Sequence, residues 1–186
     1  MSRIWYDTEF YEDGSTINLI SIGMVAEDGR ELYLINQDLR WTGFTDNDFL
    51  RDEVAPHLPI TPYRLGSGFI WDTGHPDFTR VMPKCDIARE VEHFILSTPR
   101  PSLWAYYSSY DHVALAQLFG RMVDMPKGIP WRTNDIAQER ERLGDPELPK
   151  MTSGEHHALA DARWNRQADE FLQHYAVHGR EIPVAK

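Results

Sequence analysis

The sequence predicts a mixed α/β layer fold, in which three antiparallel strands open the chain and alternating helices and strands follow. Three observations carry this expectation. Residues 3–36 alternate runs rich in aromatic and β-branched side chains with tight-turn signals, and the later chain switches to helical spacing of its apolar residues. A short apolar run at 102–107 (SLWAYY) then separates two of the helical stretches, as in a layered fold.

Residues 3–10 (RIWYDTEF) and 17–27 (INLISIGMVAE) flank the turn Glu12-Asp13-Gly14-Ser15 and read as a hairpin. Glu27-Asp28-Gly29-Arg30 is a second turn signal, and 31–36 (ELYLIN) alternates as a third strand would. Residues 46–54 read as a short helix. The Pro- and Gly-rich stretch 56–83 reads as an irregular insertion holding Tyr63, Phe69, Trp71 and Phe78. Over 83–96, Ile87, Val91, Phe94 and Ile95 fall at helical spacing, with Pro83 suited to the first turn. After the strand at 102–107, residues 110–119 (YDHVALAQLF) read as a helix ended by Gly120. A charged helix follows at 136–143, between Asp135 as N-cap and Gly144 as C-cap. Residues 157–175 form the last long helix, its packing face supplied by Ala158, Ala162, Ala168 and Leu172 among others.

With 186 residues, a single domain hides roughly 70% of the surface its unfolded chain exposes, so one core suffices. A composition of 41% hydrophobic and 26% charged residues is that of an ordinary globular protein. The only cysteine, Cys85, permits neither an intrachain disulfide nor a cysteine metal cluster, which fits a reducing compartment such as the cytoplasm. The longest apolar run, 19–26 (LISIGMVA), falls far short of the roughly 20 residues that cross a bilayer, and no apolar signal core precedes Asp7. A net charge of −10 argues against a protein that coats long duplexes. It leaves room for an enzyme that grips a few nucleotides through bound cations.

Asp7 and Glu9 stand two apart on the first strand and so share a face, where two anions repel unless a cation lies between them. The same spacing recurs in the loop at Asp145-Pro146-Glu147, so the strand setting is what makes the first pair notable. Asp111 sits near a helix start just past a buried strand, a place for complementing the helix dipole or for a ligand site. His156 precedes Asp161 by five residues, with the histidine on a loop and the acid on the helix, an arrangement suited to proton transfer.

The ordered set Asp7-Thr8-Glu9, Tyr110-Asp111-His112 and His156-x4-Asp161 resembles the DEDDh 3′–5′ exonucleases of the DnaQ-like, ribonuclease H-like superfamily, over roughly residues 3–175. Phrases such as YDTEF at 6–10, ISIG at 20–23, AEDGRE at 26–31 and YDHVAL at 110–115 look most like the small polyadenylate-specific exoribonucleases of actinobacteria, relatives of ribonuclease T. The resemblance implies a ribonuclease H-like mixed sheet flanked by helices, with 1–186 as a single exonuclease domain. It also implies two Mg²⁺ or Mn²⁺ ions, ~3.5–4 Å apart, held by Asp7, Glu9, Asp111 and Asp161, with His156 as general base. The expected reaction releases 5′-monophosphates from single-stranded or overhanging RNA 3′ ends, adenylate-rich ones in particular. Phe10 and Tyr110 are the candidate substrate contacts, Phe10 by stacking on the terminal base. Family members commonly work as homodimers, an expectation that extends to this chain.

Two departures matter: 56–83 matches no family motif, and Tyr107-Ser108-Ser109-Tyr110 precedes Asp111 where many relatives carry asparagine and phenylalanine. His157 has no required role and is expected to face solvent. Most of the six tryptophans (Trp5, Trp41, Trp71, Trp104, Trp131 and Trp164) are expected to be packing anchors, and Lys127, Arg132, Arg163 and Arg166 are candidate phosphate contacts. The competing readings are a 3′–5′ DNA exonuclease and a catalytically silent module that binds nucleic-acid ends. A zinc site on Glu155-His156-His157 fails because adjacent residues seldom converge on one ion.

Overall fold

Ile4 and Tyr6 alternate with Trp5, Asp7 and Glu9, so one strand sends its large apolar residues to both faces of a sheet and its acids to only one. In the computed structural model, which describes residues 1–63 and 68–179, this strand is central. Strands β1 (Ser2–Glu12), β2 (Ile17–Ala26) and β3 (Glu31–Asn36) form the expected antiparallel meander.

The helix expected at 46–54 is instead split: α1 covers Trp41–Asp46, and a wide helical turn follows at Leu50–Val54. Asn47 breaks the run because its backbone is extended and its side-chain Oδ1 accepts the Leu50 N–H at 3.1 Å, competing with helix hydrogen bonding. The stretch read as irregular at 56–83 contains the hairpin β4 (Ile60–Pro62) and β5 (Phe69–Trp71), a turn at Pro76–Arg80, and β6 (Val81–Met82), which joins β3 in parallel. Its part at 64–67 lies outside the described residues. Aromatic packing orders the hairpin: Phe69 meets Phe44 edge-on at 5.9 Å and Trp71 meets Trp41 at 5.2 Å.

Helix α2 (Lys84–Leu96) begins one residue after Pro83, which precedes the first turn and does not enter it. Strand β7 (Pro101–Ala105) leads to α3 (Ser109–Gln117). Strand β8 (Thr133–Asp135) was not legible as a strand, since three residues are too few for alternation to register. Helix α4 (Ile136–Arg142) is capped as expected, with the Asp135 carboxylate accepting the Ala137 N–H at 2.8 Å and Gly144 left-handed at φ +84. Helix α5 (Ala158–His178) extends three residues past its expected end.

The main sheet runs β6-β3-β2-β1-β7-β8, with β7 and β8 parallel to β1. Helices α2 and α3 cover the face carrying Ile4, Tyr6 and Met24, where Ile87, Val91, Ile95 and Leu115 complete the core. On the opposite face Trp5 packs with Ile136, Ala168 and Leu172. Polar contacts bolt α5 to β1: Asn165 Nδ2 donates to the Tyr6 carbonyl at 3.0 Å, and the buried Asp169 carboxylate accepts from Trp5 Nε1 at 2.8 Å and pairs with Arg3. A carboxylate this buried is tolerable only with such partners. The result is the mixed sheet flanked by helices that the resemblance implied.

Candidate active site

Asp7 and Glu9 leave β1 on the face that α5 covers, and Asp161 is the fourth residue of α5. What brings the helix to the acids is Gly23. It pairs with Asp7 across the β1–β2 ladder, and a Cβ placed there would lie 2.3 Å from backbone atoms of Ala158 and Leu159. The missing side chain lets the start of α5 rest on the sheet beside Asp7. One carboxylate oxygen from each of Asp7, Glu9 and Asp161 then lies within 4.8 Å of the others.

Asp111 arrives from the other helical layer. Strand β7 ends at Ala105 while β1 continues, so a β1 N–H lacks a strand partner there. The Asp111 carboxylate takes it, with Oδ1 accepting from Thr8 N at 2.9 Å and Thr8 Oγ1 at 2.7 Å. Asp111 thus borders the group of three with one oxygen already fixed. Between Glu9 and Phe10 the β1–β2 register slips, a bulge at the site itself.

All four carboxyls are shifted in one direction. Burial, then the charges of Asp111, Glu9 and Asp161, hold Asp7 well above the usual carboxylate range. Burial followed by Asp161 and Asp111 pushes Glu9 up to about 8. Burial lifts Asp161 to about 7, tempered by backbone N–H groups of His156 and His157, and lifts Asp111 to about 6 against the Thr8 hydrogen bonds. The fold therefore gathers anions in a partly desolvated place, and the offsets come from amides and a hydroxyl. An all-oxygen donor set of this kind suits hard divalent cations.

His156 lies on the loop before α5 with φ +66, a strained conformation for a residue with a side chain, and its ring meets Phe49 edge-on at 4.8 Å. The expectation that His157 faces solvent is corrected. It is half-buried, stacks on Tyr33 at 4.3 Å and meets His57 at 6.1 Å, and burial lowers its pKa. Packing His157 against Tyr33 and His57 holds the loop that carries His156.

Phe10 and Tyr110, each one residue from an acid of the site, hold their rings 9° from parallel at 5.8 Å, with Tyr110 52% exposed. Among the candidate phosphate contacts, Arg163 is engaged by Glu31, and Arg166 pairs with Glu170 and lies over Trp5. Lys127 and Arg132 are exposed. Five of the six tryptophans are buried or half-buried, whereas Trp131 is 57% exposed and is no packing anchor. Sequence reasoning missed the supporting roles of Thr8, Gly23, Asn165 and Asp169. One signal was available: Asp161, Asn165 and Asp169 repeat every four residues, a polar stripe on the face that α5 presents to β1.

Comparison with known proteins gives a consistent result. Residues 73–173 match the family described as the 3′-5′ exoribonuclease Rv2179c-like domain. Two Mycobacterium tuberculosis proteins are similar to this chain, "3′-5′ exoribonuclease Rv2179c" of strain H37Rv and "3′-5′ exoribonuclease MT2234.1" of strain CDC 1551. Each is 38% identical over 163 residues, which is 87% of this chain and 87% of the relative.

Proposed function

The chain belongs to the Rv2179c-like 3′–5′ exoribonuclease family, and from that premise we propose that it is a divalent-metal-dependent 3′–5′ exoribonuclease. It removes nucleotides from single-stranded or overhanging RNA, prefers adenylate-rich ends, and releases 5′-monophosphates. The observation that supports this most directly is the convergence of Asp7, Glu9 and Asp161 within 4.8 Å, with Asp111 adjoining. The donors fit the group the family uses: all are carboxylate oxygens, and burial followed by the charges of their neighbours raises their pKa values, a penalty on the ionised forms that cations would relieve.

Asp7, Glu9, Asp111 and Asp161 would hold two Mg²⁺ or Mn²⁺ ions, which supply an activated water and offset charge on the departing 3′-oxygen. His156 accepts the proton of the attacking water, and its loop position lets it approach an end already bound. Thr8 keeps one Asp111 oxygen occupied so that the other stays directed by the same hydrogen bonds. Phe10 and Tyr110 offer aromatic faces to the terminal base. Hydrolysis breaks the bond between phosphorus and the 3′-oxygen, so the nucleotide leaves with its 5′-phosphate and the shortened strand keeps a 3′-hydroxyl.

A homodimer and a cytoplasmic setting complete the proposal. Among the described residues no helix is long and apolar enough to cross a membrane. The test is digestion of 5′-labelled RNA and DNA homopolymers with Mg²⁺ or Mn²⁺. A ladder shrinking from the RNA 3′ end, fastest on adenylate, supports the proposal. Equal cleavage of DNA favours a DNA exonuclease, and no ladder with either metal favours a silent binding module.

A further inference from the structure

A groove of about 710 Å³ opens at the opposite end of the main sheet, where β1, β7 and β8 begin. Arg3, Arg100, Trp104, Trp131, Arg132 and Asn134 line it, and no acidic side chain does. In a chain of net charge −10, this is a local reversal of sign. Among the described residues neither Arg100 nor Arg132 takes part in an ion pair, and both are exposed. Arg3 is tied to Asp169, and its guanidinium lies 4.3 Å from the Trp104 ring centre, which makes a flat cationic and aromatic platform.

Two further features single out side chains of this groove. Trp131 is 57% exposed while its backbone carbonyl accepts a hydrogen bond from His112 Nε2 at 2.9 Å, so an anchored segment holds a large aromatic ring in water. Arg100 stands between Pro99 and Pro101 at φ +48, a left-handed position that glycine or asparagine occupies more easily.

We propose that this groove binds the upstream part of the single-stranded RNA whose 3′ end lies at the carboxylates, an inference that rests on the exoribonuclease reading above. Arg100 and Arg132 meet phosphates, and Trp131 with the Arg3–Trp104 platform stacks bases, the pairing of cations with aromatic rings by which single strands are gripped with little regard to sequence. Along β1, Arg3 is four to six residues from Asp7 and Glu9, about 13–20 Å at ~3.3 Å per residue. That distance corresponds to at least about four to six stacked nucleotides at ~3.4 Å each. The groove therefore acts on long substrates and leaves short ones untouched. It also accounts for how an acidic protein holds a polyanion beyond the last nucleotide.

The test compares the full chain with an Arg100→Asn/Arg132→Ala variant and a Trp131→Ala variant. Fluorescence anisotropy in EDTA reads the binding of a labelled adenylate trimer and 15-mer, and Mn²⁺ assays read their hydrolysis. The expected result is a loss of roughly tenfold or more in 15-mer affinity. For the double variant the salt slope should become shallower by about 1.4, near 0.7 for each lost phosphate contact. Trimer hydrolysis stays within twofold, and Arg100→Asn alone leaves the melting temperature unchanged or raises it. Unchanged 15-mer binding overturns the proposal. So does a loss that appears only together with a lower melting temperature or a changed sedimentation mass, since the groove would then be structural or an interface between copies. A wild-type protein inert on both lengths refutes the exoribonuclease reading instead, and the binding data then judge the groove by themselves.

Discussion

Gly23→Ala should damage the site without touching an acid. The new Cβ would fall 2.3 Å from the Ala158 carbonyl carbon and oxygen and from the Leu159 nitrogen, whereas ordinary contact begins near 3.4 Å. Those atoms are helix backbone and cannot swing aside as a side-chain tip would. The start of α5 must therefore withdraw by about 1 Å, and Asp161, one turn further on, moves with it. Overpacking of this kind costs ~1–3 kcal/mol, which for a chain of this size lowers the melting temperature by roughly 2–12 °C. A displacement of about 1 Å in a reacting group costs on the order of 10²-fold in rate. The assay pairs a thermal melt with initial rates on 5′-labelled adenylate RNA across Mn²⁺ concentrations. The expected pattern is a lower melting temperature, a weaker Mn²⁺ response and a rate down by about 10². A variant that melts within a degree of the parent and cleaves within twofold of it would refute the argument that Gly23 sets the height of α5.

Other outcomes follow from the same geometry. Asp7→Asn should abolish cleavage yet leave the metal-free protein as stable as the parent or more so, because it removes a carboxyl whose charged form is disfavoured by burial and by the neighbouring acids; retained cleavage would remove Asp7 from the site. His156→Ala should slow hydrolysis by roughly 10²–10⁴ while metal-dependent heat stabilisation persists; an unchanged rate would pass the proton to water or to His157. Thr8→Val removes the 2.7 Å hydrogen bond to Asp111, so in the metal-free protein the Asp111 carboxyl should titrate higher than it does in the parent, as read by NMR; an unmoved Asp111 titration would mark Thr8 as structural only. For the metal-free protein, the folded carboxyls of Glu9 at about 8, Asp161 at about 7 and Asp111 at about 6 bind protons more tightly than the unfolded chain does, so the stability they lend is present at low pH and is lost as pH rises through 6–8. Scanning calorimetry of metal-free protein from pH 5.5 to 8.5 should show a falling melting temperature that Mn²⁺ reverses; a flat or rising curve would contradict the shared burial of the acids.

Much of the chain was legible because local periodicity and long-range packing agree. The β1–β3 meander follows from alternation and two turns, and α2, α3, α4 and α5 follow from apolar spacing and caps. The segments that resisted, α1 through β6, are short elements ordered by aromatic contacts between distant positions, such as Phe44 with Phe69. No local pattern encodes such contacts. His157 was misplaced for the same reason, since its neighbours Tyr33 and His57 lie far away in sequence.

By itself the sequence determined the β1–β3 meander and the order of α2 to α5, the side of β1 on which Asp7 and Glu9 lie, and the presence of the later acids and His156, because these depend on residue type and on periods of two and 3.6. The tertiary structure decided that Asp161 reaches Asp7 and Glu9, that Asp111 is steered by Thr8, and that three arginines and two tryptophans share one groove. Those depend on how closely a helix can approach a strand and on which strand ends first. Such distances are fixed by contacts between residues more than a hundred positions apart, as between Gly23 and Ala158.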